Sequence, residues 1–178
     1  MHYCKGDLIS IFDADFRSSP HFLEELLLYF SDEAVGLVQT RWTHLNKEQN
    51  FLTRIQTILL DTYFSVELAE RFHADYFTNF CGTAGVWCKQ CIADAGGWDG
   101  NVLSEDLELS YRAQLKGWKI IYADDVAVPA ELPAVMQAFK IQQFRWTKGI
   151  AQTCKKNVQH LLQLKMPFSK KVHSLFPC

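Results

Sequence analysis

Residues 8–15 constrain the fold of this chain more than any other stretch. Leu8-Ile9-Ser10-Ile11-Phe12 is a short apolar, β-rich run that reads as a buried strand, and it ends abruptly in Asp13-Ala14-Asp15. Acids placed where a strand leaves the sheet sit at the carboxyl edge, where open α/β sheets bind ligands. Ser19 then has the chemistry of an N-cap with Pro20 at the first helical position, which predicts a helix through residue 30. Strand, acid turn and helix in immediate succession point to an α/β fold with a functional edge.

The rest of the chain repeats that grammar. Residues 35–39 read as a second strand running into Thr40-Arg41-Trp42. Asn46 and Gln49 have capping-box spacing, and Phe51, Ile55, Ile58, Leu59, Thr62 and Val66 recur at intervals of three and four, predicting a long helix to about residue 71. Short extended pieces at 77–81 and 86–87 flank Gly82-Thr83-Ala84-Gly85, whose glycines suit either a close approach to a ligand or a tight turn. A short helix at 89–95 closes on Gly96-Gly97, and Ser104 is positioned to cap a helix through residue 115 that Gly117 ends. Strands follow at 118–123 and 126–128, then a helix starting at Pro133 and an amphipathic segment at 161–176. Strands alternating with helices define the class as α/β.

At 178 residues with 48% hydrophobic side chains, the chain can fill the core of one domain or of a large piece of one. Its net charge of -2 is unevenly spread: residues 1–144 carry all 20 acids against 11 Lys and Arg, and residues 145–178 carry 7 basic residues and no acid. A basic tail on an acidic body favours an anionic partner such as phosphate or a membrane surface. Nucleic acid fits less well, because aromatics are not interleaved through a basic groove. No apolar run approaches the roughly 20 residues that span a bilayer. The six cysteines lack framework spacing and the start does not resemble a signal peptide, which favours a reducing compartment. Cys88-Lys89-Gln90-Cys91 invites a zinc reading but lacks a second pair at similar spacing, leaving ordinary thiols as the alternative.

Three stretches carry chemistry. Two carboxylates one residue apart, Asp13 and Asp15, can share a hard divalent cation that leaves positions open for water and a diphosphate; alternatively they form a solvated acidic turn. Glu105 and Asp106 fall in a first helical turn, where they complement the helix dipole. A carboxylate kept ionised there is also available to accept a proton. Gln142, Arg145, Trp146 and Gly149 are spaced as one helical stripe that would make a poor core. Arg145 suits a diphosphate and Trp146 offers a flat face to a sugar ring, the alternative being an exposed face with a Trp anchor.

Taken together, Asp13-Ala14-Asp15, Ser104-Glu105-Asp106 and Gln142-Gln143-Phe144-Arg145-Trp146 resemble, in order and spacing, the family-2 glycosyltransferases of the membrane-bound β-glycan synthase type, which includes cellulose and mannan synthases. Val38-Gln39-Thr40-Arg41-Trp42, the segment from Asn79 to Trp87, Ala95-Gly96-Gly97-Trp98 and Pro129-Ala130-Glu131-Leu132-Pro133 are similar to mannan-synthase-like members in particular. The resemblance implies a glycosyltransferase A-type, Rossmann-like mixed sheet flanked by helices. It further implies inverting transfer from a UDP- or GDP-linked sugar to a glycan or glycolipid acceptor. Asp13 and Asp15 would hold Mg2+ or Mn2+, Asp106 would be the base with Glu105 beside it, and Gln142 and Arg145 would support the diphosphate. Cys81, Gly82, Thr83 and Trp146 would line the acceptor end.

The family's nucleotide-binding half precedes its D-x-D acids, and here only twelve residues do, so residues 1–160 read as the C-terminal half of the catalytic domain. Residues 161–178 read as a basic membrane-interface segment, with the catalytic domain on the cytoplasmic side of a membrane. Ser104 stands where Thr is commoner. Two other functions fit the same residues: a non-processive transferase acting on a lipid, and a catalytically silent module that keeps the fold.

Overall fold

The computed structural model describes residues 4–163 and 168–175. The first strand, β1 (Leu8–Ile11), is followed by the acid turn and by α1 (Phe22–Leu27), which continues as a 3-10 turn, Leu28–Ser31. Helix α1 starts two residues later than Pro20 suggests, because Ser19 spends its hydroxyl on the His21 N–H at 3.0 Å in a turn before the helix. Strand β2 (Val35–His44) leads to α2 (Phe51–Thr62), a π-helical turn (Tyr63–Leu68) and α3 (Ala69–His73). Then come β3 (Gly85–Cys88), α4 (Lys89–Asp94), α5 (Glu105–Leu115), β4 (Lys119–Ala130), α6 (Met136–Gln163) and α7 (Phe168–Leu175).

Several sequence expectations are corrected. The capping box of α2 is Asn50 with Thr53, not Asn46 with Gln49: Asn50 Oδ1 accepts from the Thr53 N–H at 2.9 Å and Thr53 Oγ1 from the Asn50 N–H at 3.0 Å. Asn46 instead binds the backbone of Leu132 through both ends of its amide. The two strands expected around 118–128 are one strand, β4, which stays paired to β2 across an irregularity between Thr40 and Arg41. Residues 77–81 are irregular rather than strand, and α6 begins at Met136, three residues after Pro133.

The sheet order is β1-β3-β2-β4, with β3 antiparallel to β1 and β2 and with β2 parallel to β4. Strands β1, β2 and β4 therefore run the same way, and their carboxyl ends share one edge. Helix α5, which feeds β4 from behind, must begin near that edge, and the 81–84 turn that opens β3 lies there too. Topology alone thus gathers the acid turn, the glycine turn and the start of α5.

Both faces of the sheet are covered, so neighbouring strand residues enter different cores. Val38 and Val86 pack with Trp42, Phe64 and Tyr122 beneath α1 and the π-turn. Leu37 and Trp87 pack with Ile92, Leu109 and Ala113 of α4 and α5. Full burial of a side chain such as Leu37 is worth about 1.5–3 kcal/mol, which fixes strand register, since a one-residue slip would exchange the two sets.

Helix α2 is turned against its own apolar stripe. Phe51, Ile55, Ile58, Leu59 and Val66 are exposed, whereas Thr53 and Gln56 are buried. The polar face docks because the 132–134 segment presents carbonyls to it: Gln56 Nε2 donates to Pro133 O at 2.8 Å and Asn50 Nδ2 to Ala134 O at 3.0 Å.

The amphipathic tail falls partly within the described residues. There α7 packs on the body: Lys170 pairs with Asp75, the Tyr111 hydroxyl donates to Ser174 O, and the His173 ring stacks on Tyr76 at 4.2 Å.

Candidate active site

The Asp13 N–H donates to Thr83 Oγ1 at 2.8 Å, tying the acid turn after β1 to the glycine turn before β3. That second turn is itself braced from β2. The buried Gln39 accepts from the Cys81 N–H at 2.8 Å, and its Nε2 donates to Thr40 O at 2.9 Å and reaches Thr83 O and Ala84 O at 3.3 Å. Thr40 Oγ1 donates to Ala84 O at 2.6 Å. These bonds hold Gly82 at φ +87°, where a Cβ would be strained and would sit 3.0 Å from Asp106 Oδ2. The glycine is thus required by the approach of the Asp106 carboxylate.

Asp106 enters from the first turn of α5. Ser104, expected as the side-chain cap, makes no capping hydrogen bond. Its hydroxyl lies against α6, where a Cβ on Gly149 would fall 1.9 Å from Ser104 Oγ. Serine and glycine at these positions let the two helices touch, and that contact brings Trp146 over the start of α5. Behind it, the fully buried Glu108 accepts from Arg112 at 2.7 Å and from Lys156 at 2.7 Å, while Lys156 also reaches Asp99 at 2.7 Å. This network clamps α5, α6 and the 96–101 loop together.

Electrostatics couples the gathered groups. Burial pushes the Asp106 carboxyl up to about 6, with the charges of Glu105 and Asp13 adding to the rise and the amides of Leu107 and of Asp106 itself opposing it. Asp13 is also raised, first by burial and then by Asp15, while Arg145 on α6 lowers it. Asp13, Asp15, Glu105, Asp106 and Arg145 therefore share one neighbourhood.

Asp13 and Asp15 are exposed, hard oxygen donors, and the charge of Asp15 makes Asp13 costlier to ionise; such a donor set fits a divalent cation. The chain supplies two such ligands there; among the described residues, no group of three His, Cys, Asp or Glu side chains could hold a metal. The Cys88 and Cys91 pair belongs to no such group among the described residues. Cys91 is buried and its thiol is pushed up to about 12, which keeps it protonated.

Beside Asp106 opens a cavity of about 210 Å³ whose walls include Trp42, Tyr63, Phe64, Asn79, Cys81 and Trp146. Of the residues expected at an acceptor end, Cys81 and Trp146 line it and Gly82 touches the carboxylate, whereas Thr83 is buried and serves the acid turn. Arg145 is exposed on the Asp13 side, and Gln142 lies one turn earlier on α6. Tyr63 lies outside every motif of the sequence, and Asn79 opens a quoted segment without an assigned role. Gln39 and Trp42 lie in a quoted motif without an assigned role, and Glu108 follows the acid pair.

A mixed sheet with acids at the carboxyl edge, a carboxylate at a helix start and an aromatic cavity define the glycosyltransferase A-type architecture. The solved mannosyltransferase PcManGT from Pyrobaculum calidifontis, in complex with GDP-Man and Mn2+, superimposes on 97% of this chain and 45% of its own, with a TM-score of 0.68 at 18% identity. S. aureus TarS 1-349 in complex with UDP-GlcNAc does so over 98% and 48%, with a TM-score of 0.61 at 11% identity.

The chain belongs to glycosyl transferase family group 2, whose pattern matches residues 8–178. It is 40% identical over 172 residues to glucomannan 4-beta-mannosyltransferase 1 of Cyamopsis tetragonoloba, covering 96% of this chain and 33% of that protein. Glucomannan 4-beta-mannosyltransferase 2 of Arabidopsis thaliana is 38% identical, with 96% and 32% covered. The chain spans about a third of the length of these relatives.

Proposed function

We propose that the protein to which this chain contributes is an inverting hexosyltransferase that extends a β-linked glycan from a nucleoside-diphosphate sugar, with Asp106 as the base. The observation that carries this reading is the place of Asp106: a carboxylate held at about 6, with charged groups on one side and an aromatic cavity on the other. The names of the relatives favour mannose as the sugar and GDP as its carrier.

The chain's residues divide the work. Trp146 and Trp42 present apolar ring faces to the acceptor sugar, whose hydroxyl then lies against Asp106. Asp106 accepts the hydroxyl proton as the oxygen attacks the anomeric carbon, and Glu105 beside it raises its basicity. Arg145 and Gln142 face the departing diphosphate, where a guanidinium offsets charge without itself exchanging a proton. A divalent cation held by Asp13 and Asp15 would supply further stabilisation of that leaving group. Binding both partners in one cleft supplies the orientation.

Membrane association through the 161–178 segment, with the catalytic domain on the cytoplasmic side, is part of the proposal. The exposed apolar side chains of α2 and those of Val135, Met136, Ile141 and Phe144 on and before α6 support it. The test is a screen of GDP- and UDP-sugars with the full-length protein in membranes. Incorporation of one hexose into a β-linked polymer is expected, and the absence of transfer or donor hydrolysis with every donor would overturn the reading in favour of a silent module. A single added sugar on lipid would instead make it a non-processive transferase.

A further inference from the structure

The wall of the cavity that faces Asp106 is apolar except at one place. The Tyr63 hydroxyl lies 3.3 Å from Asn79 Oδ1 and 3.2 Å from Asn79 Nδ2, and Cys81 Sγ is 3.8 Å from each of Asn79 Nδ2 and the Tyr63 hydroxyl. Tyr63 opens the π-helical turn, and the wider winding there brings both Tyr63 and its neighbour Phe64 to the cavity that Leu60 also lines. Such turns cost helix stability and recur at functional sites. Asn79 is buried, on an irregular segment whose own backbone is fixed by Ser110 and Gln114 through Phe80 and Thr78. The polar cluster is therefore rigidly mounted.

Resting on the glycan-transfer reading above, we propose that Tyr63 and Asn79 read a hydroxyl of the terminal acceptor sugar other than the attacking one, and so decide which hydroxyl lies against Asp106. Three observations converge on this role. An amide and a phenol together offer donors and acceptors, as a sugar hydroxyl requires. The long bonds within the cluster, one set of them to a thiol sulfur that is a weak acceptor, are ones a sugar hydroxyl improves on. Cys81 precedes Gly82, whose Cβ position is 3.0 Å from Asp106 Oδ2, so the reading cluster and the base are joined through one rigid turn. The spacing between the hydroxyl that is read and the one that reacts is thereby set by the protein. Sites built to bond a substrate hydroxyl reject analogues lacking it far more strongly than apolar pockets reject a change of size.

The experiment uses the full-length protein in membranes, GDP-mannose, a β-4-linked manno-oligosaccharide acceptor and the set of its monodeoxy forms at the terminal sugar. In the parent protein one deoxy acceptor, not that lacking the attacking hydroxyl, is expected to lose roughly 10- to 100-fold in kcat/KM, the cost of leaving a buried polar group unpaired. In Asn79→Leu that penalty should shrink to about twofold, with the acceptor KM raised and the donor KM unchanged. Tyr63→Phe keeps the ring and its packing, and decides the matter if Asn79→Leu does not accumulate. A deoxy penalty that persists undiminished in Tyr63→Phe and in any Asn79→Leu protein obtained, or a donor KM that moves with the acceptor KM, would overturn the proposal while leaving glycan transfer intact. Failure of the parent to elongate any acceptor would overturn both.

Discussion

The two sides of Asp106 are built on opposite principles. Toward β1 lie Asp13, Asp15, Glu105 and Arg145, all exposed, and among the described residues no salt bridge joins Arg145 to the acids. Their proximity comes from backbone: the Thr83 bond to Asp13, the start of α5 and the passage of α6. Toward α2 lies an interlocked apolar wall, with Trp42 and Phe64 ring centroids 5.0 Å apart and Tyr63 and Phe64 5.1 Å apart in a T-shaped pair. The charged side is complementary to a ligand that brings its own charge; the aromatic side has its shape before any ligand arrives. Function and stability should therefore separate on the first side and travel together on the second.

Asp106 stands where the two meet, and its replacement should give the largest effect. Asp106→Asn in the full-length protein is expected to lower kcat by about 10³-fold or more, within the range for a general base, while the donor KM holds. The same substitution should stabilise the fold at pH 7. A carboxyl moved from its ordinary 3.8 to about 6 carries a penalty when ionised of roughly 3 kcal/mol, at about 1.4 kcal/mol per pKa unit. The folded value is the higher one, so this penalty is complete above about 6 and is recovered as the pH falls from about 6 toward 3.8. Denaturant titrations at pH 7 and pH 4 check it: the stability gain of the variant should fade at the lower pH. The rate should show the matching acid limb, falling tenfold per unit below about 6. Near-normal turnover in the variant would remove Asp106 from the role.

Paired substitutions test the division directly. Phe64→Ala removes a side chain 1% exposed at the centre of the aromatic wall and should cost about 3–5 kcal/mol of stability, with activity lost alongside. Asp15→Asn on the exposed side should leave the melting temperature within about 1 °C, since surface changes cost little. It should nonetheless weaken Mn2+ activation on the order of 10²-fold in a titration of transfer against metal. If Asp15→Asn also destabilises the fold substantially, the acids are structural and the contrast between the two sides fails.

The charged side was legible in the sequence, whereas of the aromatic side only Cys81 and Trp146 carried an expected role. Asp13, Asp15, Glu105, Asp106, Gln142 and Arg145 sit at strand ends, a helix start and one helical stripe, all local patterns whose geometry follows from a few neighbouring residues. The cavity is assembled from residues 42, 63, 79 and 146, and only folding brings these together. The apolar repeat along α2 marked the helix correctly but not its facing. Carbonyls at 133 and 134, more than seventy residues away, draw its polar face inward. Tyr63 reaches the cavity on a π-turn that leaves no mark in a 3.6-residue period. Ser104 failed as a cap for a related reason: its side chain packs against a helix forty-five residues on, which no local propensity anticipates.

That contact yields the smallest expected effect and the finest test, because it sets how closely α6 approaches α5. Alanine for glycine inside a helix ordinarily stabilises by about 1 kcal/mol. At Gly149 the new Cβ would lie 1.9 Å from Ser104 Oγ, 2.7 Å from Ser104 Cβ and 3.0 Å from its backbone nitrogen. Rotating the hydroxyl away relieves only the first of these, so α6 must move, and overpacking of this kind costs about 1–3 kcal/mol. Gly149→Ala is therefore expected to lose on the order of 1 kcal/mol net and to shift Trp146, one turn upstream, away from the Asp106 cavity, raising the acceptor KM several-fold. Ser104→Gly in the same chain removes both side-chain clashes and should restore the acceptor KM, although a glycine there does nothing for α5 by itself. Greater stability of Gly149→Ala than of the parent would mean that helix propensity outweighs the contact, and that the α5–α6 approach does not position the acceptor.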